Sequence, residues 1–379
     1  MFNKLLSQLF QKPESSTPNI YYFEESRQGV DSEKEVENQQ ADTNRNINPN
    51  INNNTNHDGL MFYSFEDEYQ QNFYDYLLGE SNRVESPNDH ELSQLISSKI
   101  QSLLKNPKLI LDVLPILPLS LTKIIEQINN QEFDTEALIQ LIQQEPAIAA
   151  KVIELANSVY YNRNNKEITD LKSAFLLLGA NGLSEGVING FVNKLVPNST
   201  IYFRQYGQKI WQHSLSTGIT AKALVAKSSI KASAAQAYFI GLICNLGDLV
   251  IYQLLTDAFA IVHPDCQPNS TLFKNLMAKE SKKLTYFIAK HWNFPDSILD
   301  ALALQAKVKR AALLPTLHHK MPLACYVYEA KIISQLELRL AHSAIDDEYI
   351  KEVSTSLLFT EEANNRLQQV LADKGLEKT

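Results

Sequence analysis

The sequence predicts an all-α protein, a compact helical bundle that follows a disordered N-terminal region. Apolar residues recur at helical spacing in nearly every segment from about residue 91 onward. The same segments lack the sustained period-two alternation of strands, and the one Asn-Gly pair, Asn181-Gly182, joins two helical patterns rather than two strands. Because no segment recurs at a fixed period, the pattern favours a compact bundle over a solenoid.

The first ten residues, MFNKLLSQLF, form a short amphipathic helix pattern. Their apolar side chains repeat at i, i+3, i+4, i+7 and i+8, and they are Phe2, Leu5, Leu6, Leu9 and Phe10. A helix of this length is not stable alone in water, so the stripe must be covered. Two interpretations stay open: the helix docks on its own domain, or it binds a partner groove or contacts a membrane surface peripherally.

Residues 11–58 differ in composition from the rest of the chain. They are rich in Asn and acidic side chains and poor in apolar ones, so burial cannot offset the entropy of ordering them. The sequence predicts a disordered acidic tether there. Residues 59–113 form an aromatic and helical lead-in, whose island LMFYSFEDEYQQNFYDYLLGE we expect to lie on the domain that follows.

The helices after the lead-in have recognisable ends. Asp134 and Asp170 are N-cap residues, and Pro146 suits the first turn of a helix. Gly179 ends one helix, and Asn157 closes another in a left-handed turn. Further apolar-periodic segments cover roughly 184–194, 208–227, 231–255, 269–291, 295–305, 321–337 and 361–374.

Composition limits the class of function and the compartment. A net charge of -8 and a pI near 5.6 argue against binding of nucleic-acid phosphates, which needs a concentrated basic surface. Three cysteines, odd in number and far apart, indicate a reducing compartment, for which the cytoplasm is the default. We find no apolar window typical of a membrane span and no signal-peptide pattern, so the sequence predicts a cytoplasmic protein.

Five blocks, in this order and at these separations, carry a resemblance to a known family. They are LPILP (114–118), QEPAIAAKVIELANSVYY (144–161), ITDLKSAFLLLG (168–179), WQHSLSTG (211–218) and AYFIGLICNLGDL (237–249). Together they resemble the HDOD family, bacterial signalling domains related to the HD metal-dependent phosphohydrolases. The resemblance spans about 114–310 and implies two helical lobes, the second HD-like from about 208. Residues 311–379, outside it, are predicted to form C-terminal helices packed on the domain. The resemblance also implies signal transduction or regulation through contacts with protein partners.

The stretch GLICNLGDLV (241–250) decides what chemistry the resemblance implies. In HD hydrolases an early His, a later His-Asp pair and a distant Asp bind divalent ions that activate water. His213 matches the early His, but the pair falls on Cys244 and Asn245. An amide oxygen is a poor substitute for an anionic ligand, and a Cys among apolar residues stays a thiol. The lysine frequent in active relatives is Asp248 here. The resemblance therefore implies a degenerate site with no metal, cofactor or catalytic residue.

Two interpretations of these residues compete. Cys244 and Asp248 are spaced i, i+4, and with His213 they would make a zinc cluster. The alternative is a Cys packed as a small hydrophobe, an Asn245 satisfied by neighbouring backbone and an Asp248 at a solvent edge, and the sequence favours it. The functional hypothesis is a non-catalytic HDOD regulatory protein. Its alternative is a divergent metal-dependent phosphohydrolase acting on a nucleotide second messenger. Partner and oligomeric state stay open.

Other candidate constellations are weaker. The sequence has no G-x-S-x-G elbow and no phosphate-binding Gly-rich loop. Cys266 stands beside His263 and Asp265, but the surrounding prolines are typical of a surface loop between helices. His318 and His319 are adjacent, so they point in different directions on a helix and form a poor chelate. We assign none of them to catalysis.

Overall fold

A computed structural model of the chain describes residues 2–10, 64–79, 87–130, 134–158, 161–162, 167–194, 201–262, 271–308, 310–343 and 345–376. Most of these residues are helical and none of them is in a strand, which confirms the all-α prediction. The first helices are α1 (Asn3–Phe10), α2 (Phe65–Leu78), α3 (Pro87–Lys105), α4 (Lys108–Leu111), α5 (Leu119–Asn130), α6 (Thr135–Gln143), α7 (Pro146–Ala156) and α8 (Leu171–Lys194). The others are α9 (Ile201–Ala226), α10 (Ala234–Ile243), α11 (Leu246–Val262), α12 (Thr271–His291), α13 (Asp296–Lys307), α14 (Leu314–His318), α15 (Pro322–Leu340), α16 (Asp347–Leu357) and α17 (Glu361–Leu376).

The predicted helix ends are mostly confirmed. The carboxylates of Asp134 and Asp170 accept main-chain N–H bonds in the first turns of α6 and α8. Pro146 is the first residue of α7. Gly179 interrupts α8 with a φ of 68°, a left-handed conformation that a residue without Cβ adopts at no steric cost.

The prediction of a left-handed turn at Asn157 is wrong. Its φ of -85° and ψ of -2° are right-handed. The side chain instead holds the segment that returns toward α8, because its Oδ1 accepts from Ile168 N at 2.9 Å and its Nδ2 donates to Ile168 O at 2.7 Å. A side-chain bridge to a distant main-chain segment thus takes the place of the local turn.

The helices form two packed groups within one compact unit that includes α1 and the chain from residue 63 onward. Helices α5 to α8 pack on one another, and α9 to α13 pack together with α15. Glycines bring the helices of the second group close. A Cβ on Gly241 of α10 would lie 2.8 Å from the Cα of Gly218 of α9, and one on Gly247 of α11 would lie 1.9 Å from the main-chain oxygen of Ser281 of α12. The predicted tether over 11–58 lies outside the described residues.

The segments before the predicted domain pack on it. Phe2, just before α1, and Leu6 of α1 are fully buried against the core, and the main-chain N–H of Phe2 donates to Asp257 of α11 at 2.8 Å. The structure therefore shows own-domain docking of α1, whereas binding to a partner or a membrane stays a prediction. The aromatic lead-in also lies on the domain as expected, with Tyr69 and Phe73 of α2 buried.

The C-terminal helices are tied to the same core through a buried carboxylate. Glu329 of α15 is fully buried and accepts from Phe359 N at 2.7 Å, from Thr360 N at 2.9 Å and from Thr360 Oγ1 at 2.7 Å. These bonds hold the residues that precede α17 and so fix that helix against α15.

Two stretches, 171–192 and 231–261, are long and apolar enough to cross a membrane by length and composition alone, with mean hydropathies of 1.3 and 1.6. The sequence prediction of no candidate span was therefore wrong by that criterion. The fold buries 61% and 94% of the two apolar windows, as it does the core helices of soluble proteins, so the two stretches are weak evidence for a membrane span.

Candidate functional site

The structure places all four sequence-predicted positions in the interior of the second group of helices. His213 lies on α9, Cys244 and Asn245 lie between α10 and α11, and Asp248 lies in the first turn of α11. None of the four side chains exposes more than 4% of its surface. The stretch 241–250 is therefore a junction between two helices and not one continuous helix.

Asn245 bonds to a side chain rather than to the backbone that the sequence led us to expect. Its Nδ2 donates to Ser214 Oγ at 3.3 Å, and that hydroxyl in turn donates to Ile210 O at 3.1 Å. Because the serine proton is committed to Ile210, Ser214 Oγ accepts from the amide, and this fixes which way the amide points. Asn245 Oδ1 has no hydrogen-bond partner among the described residues.

Cys244 packs as a small hydrophobe, as predicted. Its Sγ donates to Gly241 O at 3.1 Å. Burial, partly opposed by the charge of Lys331, raises the pKa of the thiol to about 11. The residue is therefore a protonated thiol at neutral pH, which is neither a good nucleophile nor a thiolate ligand.

The expectation that Asp248 lies at a solvent edge is wrong. Its Oδ1 accepts a hydrogen bond of 2.8 Å from the hydroxyl of Tyr74, and the same hydroxyl lies 3.5 Å from Ser281 Oγ. Burial raises the pKa of Asp248, while the Lys331 charge and the Tyr74 bond act in the opposite direction. The carboxylate is thus a buried acid with a specific donor from a helix 174 residues away in sequence.

His213 is a buried neutral imidazole. The ring of Phe73 packs on it with 4.5 Å between ring centroids. Burial, and after it the positive charge of Lys331, holds the pKa of His213 well below its usual 6.5. Its Nε2 has no hydrogen-bond partner among the described residues.

Sequence reasoning missed four residues that complete this cluster. Phe73 and Tyr74 come from α2, Lys282 from α12 and Lys331 from α15. Lys331 exposes 7% of its surface. Burial, together with the nearby Lys331 charge, lowers the pKa of Lys282 to about 8. The sequence did offer a signal for Lys331, because it lies inside the largely apolar run 323–334. A lysine is almost never buried without a partner, so its presence there indicates a buried polar cluster.

The residues of the cluster do not fit a divalent metal ion. No group of three or more His, Cys, Asp or Glu side chains close enough to hold a metal occurs in the part of the chain that the structure describes, and this includes the set of His213, Cys244 and Asp248. Their chemistry points the same way, because a protonated thiol and a neutral amide stand at the positions where the resemblance places the pair of ligands. The remaining carboxylate already accepts from Tyr74.

The other sequence candidates lie elsewhere. His318 packs its ring edge-on against Tyr326 and Phe359, with centroids 5.2 and 5.3 Å away, so it belongs to an aromatic contact at the end of α14. Cys266, with its neighbours His263 and Asp265, lies outside the described residues.

The comparison with family models decides the identity of this helical unit. The model for the HDOD domain matches residues 114–308, more than half of the chain. The chain belongs to the HDOD domain family. Solved structures similar to this chain include proteins named for phosphohydrolase activity and for signal transduction.

Two kinds of relatives of this HDOD protein are known. An uncharacterized protein of Treponema pallidum (strain Nichols) is 23% identical over 226 residues, which are 59% of this chain and 40% of that relative. This chain thus matches about two-fifths of its curated relative's length. An HDOD domain protein of Geobacter sulfurreducens has 17% identity and a TM-score of 0.49, covering 76% of this chain and 97% of its own. A provisionally named phosphohydrolase of Shewanella amazonensis SB2B has 17% identity and a TM-score of 0.49, covering 69% and 91%.

Proposed function

We propose that this chain is a non-catalytic, cytoplasmic HDOD regulatory protein that transmits signals through protein–protein contacts, and that its HD-type metal site is degenerate. In this proposal the helical bundle is a scaffold, and the cluster around Asp248 stabilises it without binding a metal or a substrate.

One observation carries the proposal: α2 covers the cluster with aromatic side chains. Phe73 packs on His213, and Tyr74 donates to Asp248. A metal-dependent hydrolase must admit both a phosphoester and the water that its ions activate. Here the side chains that would face the substrate are buried under α2, and the carboxylate that would bind an ion has a phenol as its partner.

The surface of the first group of helices supports the part of the proposal that concerns protein contacts. Ile116, Leu119 and Leu176 expose 93%, 69% and 76% of their surfaces. Leu119 begins α5, and Leu176 lies on α8, which packs against α5. Single exposed apolar side chains are ordinary, but a group of large ones on α5, on the residues just before it and on the neighbouring α8 is typical of an interaction surface.

Catalysis is tested first, on the purified full chain. Metal content is measured by elemental analysis, and turnover of cyclic dinucleotides and alarmones is measured with added Mn²⁺ or Fe²⁺ beside an active HD hydrolase as a positive control. We expect less than about 0.1 equivalent of metal and no turnover above background. Bound metal together with turnover would instead establish the phosphohydrolase alternative.

Protein contact is tested by affinity capture from native lysate with matched surface variants. Ile116→Asp and Leu176→Asp place a charge on the proposed surface, whereas Leu313→Asp does the same at a position 53% exposed outside the first group of helices. We expect a protein captured by the wild type and by Leu313→Asp to be lost with the other two. Identical capture by all four chains would exclude this surface as the contact.

A further inference from the structure

We propose that the surface of α11 around Asp257 is a docking groove for an amphipathic helix of a partner protein, and that α1 is the competitor within the chain that occupies it. The partner helix carries the pattern of α1: an apolar residue at its start, further apolar residues three, four and seven positions on, and a main-chain N–H that donates to Asp257. This inference rests on the protein contacts of the proposed function. It names a partner class for a second surface, separate from the one that carries Ile116 and Leu176.

The apolar part of the groove is defined by the side chains that α1 buries. Helix α1 packs on α11. Phe2 and Leu6 are spaced i, i+4 and expose none of their surface, whereas Leu5 and Leu9 pack partly buried against the same core. Lys4 is exposed. Apolar grooves recognise an amphipathic helix through such anchors at i, i+3, i+4 and i+7.

The polar part of the groove is Asp257, which binds the start of the docked segment. The residue exposes 5% of its surface, and its Oδ2 accepts from Phe2 N at 2.8 Å. Gln253, one turn earlier on α11, donates to its Oδ1 at 2.5 Å and so holds the carboxylate in place. Main-chain N–H groups at a helix start lack acceptors within the helix, and a negative charge is favourable there. The groove therefore selects for the beginning of a helix as well as for its apolar face.

The docked state of α1 is weak enough to be exchanged. The helix has eight residues, and a helix of this length is not stable alone in water. Burial of Phe2 and Leu6 must therefore offset the entropy of ordering the whole segment, which leaves a small margin. The tether predicted over 11–58 gives α1 an effective concentration of about 1 mM or less at the groove. A partner helix has to exceed only this concentration to displace α1.

The groove also offers apolar surface that α1 leaves uncovered. Ile261 follows Asp257 by one turn of α11 and lies on the same face, and 41% of its surface is exposed. A partner helix longer than α1 gains a contact there that α1 does not make. This additional burial favours the partner helix over the tethered one.

Binding of a synthetic peptide tests the groove. The peptide has the sequence of residues 1–10 and a fluorophore at its C-terminus, and anisotropy gives its Kd for the full chain and for two full-length variants. Leu6→Asp places a charge at a buried position of α1 and vacates the groove, whereas Lys4→Asp places the same residue at an exposed position. We expect the Leu6→Asp chain to bind the peptide about tenfold more tightly than the wild type does, because the tethered competitor is gone. The Lys4→Asp chain should match the wild type within about twofold.

Three results would overturn parts or all of this assignment. An equal Kd for the wild type and the Leu6→Asp chain, or no binding to that chain at about 1 mM peptide, would refute the groove. Asp257→Ala added to the Leu6→Asp chain should weaken peptide binding about tenfold, because the peptide loses a hydrogen bond to a charged acceptor. An unchanged Kd would refute the role of Asp257. A peptide that sediments with phosphatidylglycerol vesicles but does not bind the Leu6→Asp chain would replace the partner helix by a membrane surface.

Hydrogen exchange of the wild-type protein provides a second measurement if the Leu6→Asp chain does not fold. The amides of α1 should exchange at least about 100-fold faster than those of α11, as expected for a segment that detaches without unfolding the domain. Equal protection of the two helices would mean that α1 leaves the groove only on global unfolding, and it would refute the inference. Failure of the groove, with protein capture through Ile116 and Leu176 intact, would leave the proposed function standing.

Discussion

Tyr74→Phe is the substitution that probes the cover over the cluster most directly. The change removes one hydroxyl and leaves the ring that fills the space above Asp248. The hydroxyl is buried, and it donates to the Asp248 carboxylate at 2.8 Å, while its 3.5 Å approach to Ser281 is at the limit of a hydrogen bond. The energetic effect should therefore come almost entirely from the bond to Asp248.

A hydrogen bond to a charged group contributes about 1.5–3 kcal/mol, and the weak contact to Ser281 adds little. We expect Tyr74→Phe to lower the free energy of unfolding by about 2 kcal/mol, which raises the unfolding equilibrium constant about 30-fold. When Asp248→Asn is already present, the lost bond joins two neutral groups, and the cost should fall to about 1 kcal/mol. Urea unfolding followed by circular dichroism measures all four stabilities.

The effect should also depend on pH in a defined direction. The Tyr74 bond lowers the pKa of Asp248, so its removal raises that pKa further above the unfolded value. The cost of Tyr74→Phe is then largest where the carboxylate is ionised, and it shrinks as the pH falls and Asp248 takes up a proton.

Tyr76→Phe on the same helix is the control, because the Tyr76 hydroxyl is buried and has no partner among the described residues. Its removal breaks no hydrogen bond, so stability should not fall by more than about 0.5 kcal/mol. Equal effects of the two substitutions would refute the claim that the bond to Asp248 holds α2 in place.

Three further outcomes are expected. The free energy of unfolding should fall as the pH drops below 6.5, the usual pKa of His213 in the unfolded chain, because the unfolded chain takes up a proton that the buried ring does not. The slope should be at most about 1.4 kcal/mol per pH unit, and His213→Leu should flatten it in acid unfolding curves. Burial raises the pKa of Cys244 to about 11 and that of Cys325 to about 12. Both thiols should therefore react with Ellman's reagent at pH 8 only after unfolding, as peptide mapping would show. Rapid labelling of either thiol in the native state would contradict its burial. Glu329→Ala removes three hydrogen bonds, so it should lower the free energy of unfolding by about 3 kcal/mol and remove the hydrogen-exchange protection of the amides before α17. Glu329→Gln keeps an acceptor and should lower it less. An unchanged free energy of unfolding in both variants would contradict the role of this carboxylate.

The fold could be predicted from the sequence because its determinants are local. Helical periodicity and the caps at Asp134 and Asp170 depend on residues a few positions apart, and the structure has them where the sequence places them. The prediction for Asn157 was wrong because its structure is determined by a contact that is not local. Its side chain bonds Ile168, eleven residues on, so its role depends on how the returning chain passes and not on the helix that it ends.

The cluster could be predicted only in part, since the resemblance located His213, Cys244 and Asn245 but not their partners. Within 241–250 nearly every position is apolar, so the pattern does not reveal that the chain breaks between α10 and α11. Asp248 was expected at the surface because an isolated carboxylate is costly to bury. Its donor, Tyr74, is far away in sequence, so no local pattern links the two.

The family match ends at residue 308, yet the cluster depends on residues beyond both of its limits. The matched segment contains five residues of the cluster, which are His213, Cys244, Asn245, Asp248 and Lys282. Helix α2 precedes this segment and α15 follows it. A matched segment without α2 would retain the Asp248 carboxylate and lose its phenol donor. Removing the partner of a buried charge costs about 3–5 kcal/mol, a large fraction of the stability of a domain. The buried Asp248 carboxylate of the matched segment therefore depends on a helix outside that segment for its hydrogen-bond donor.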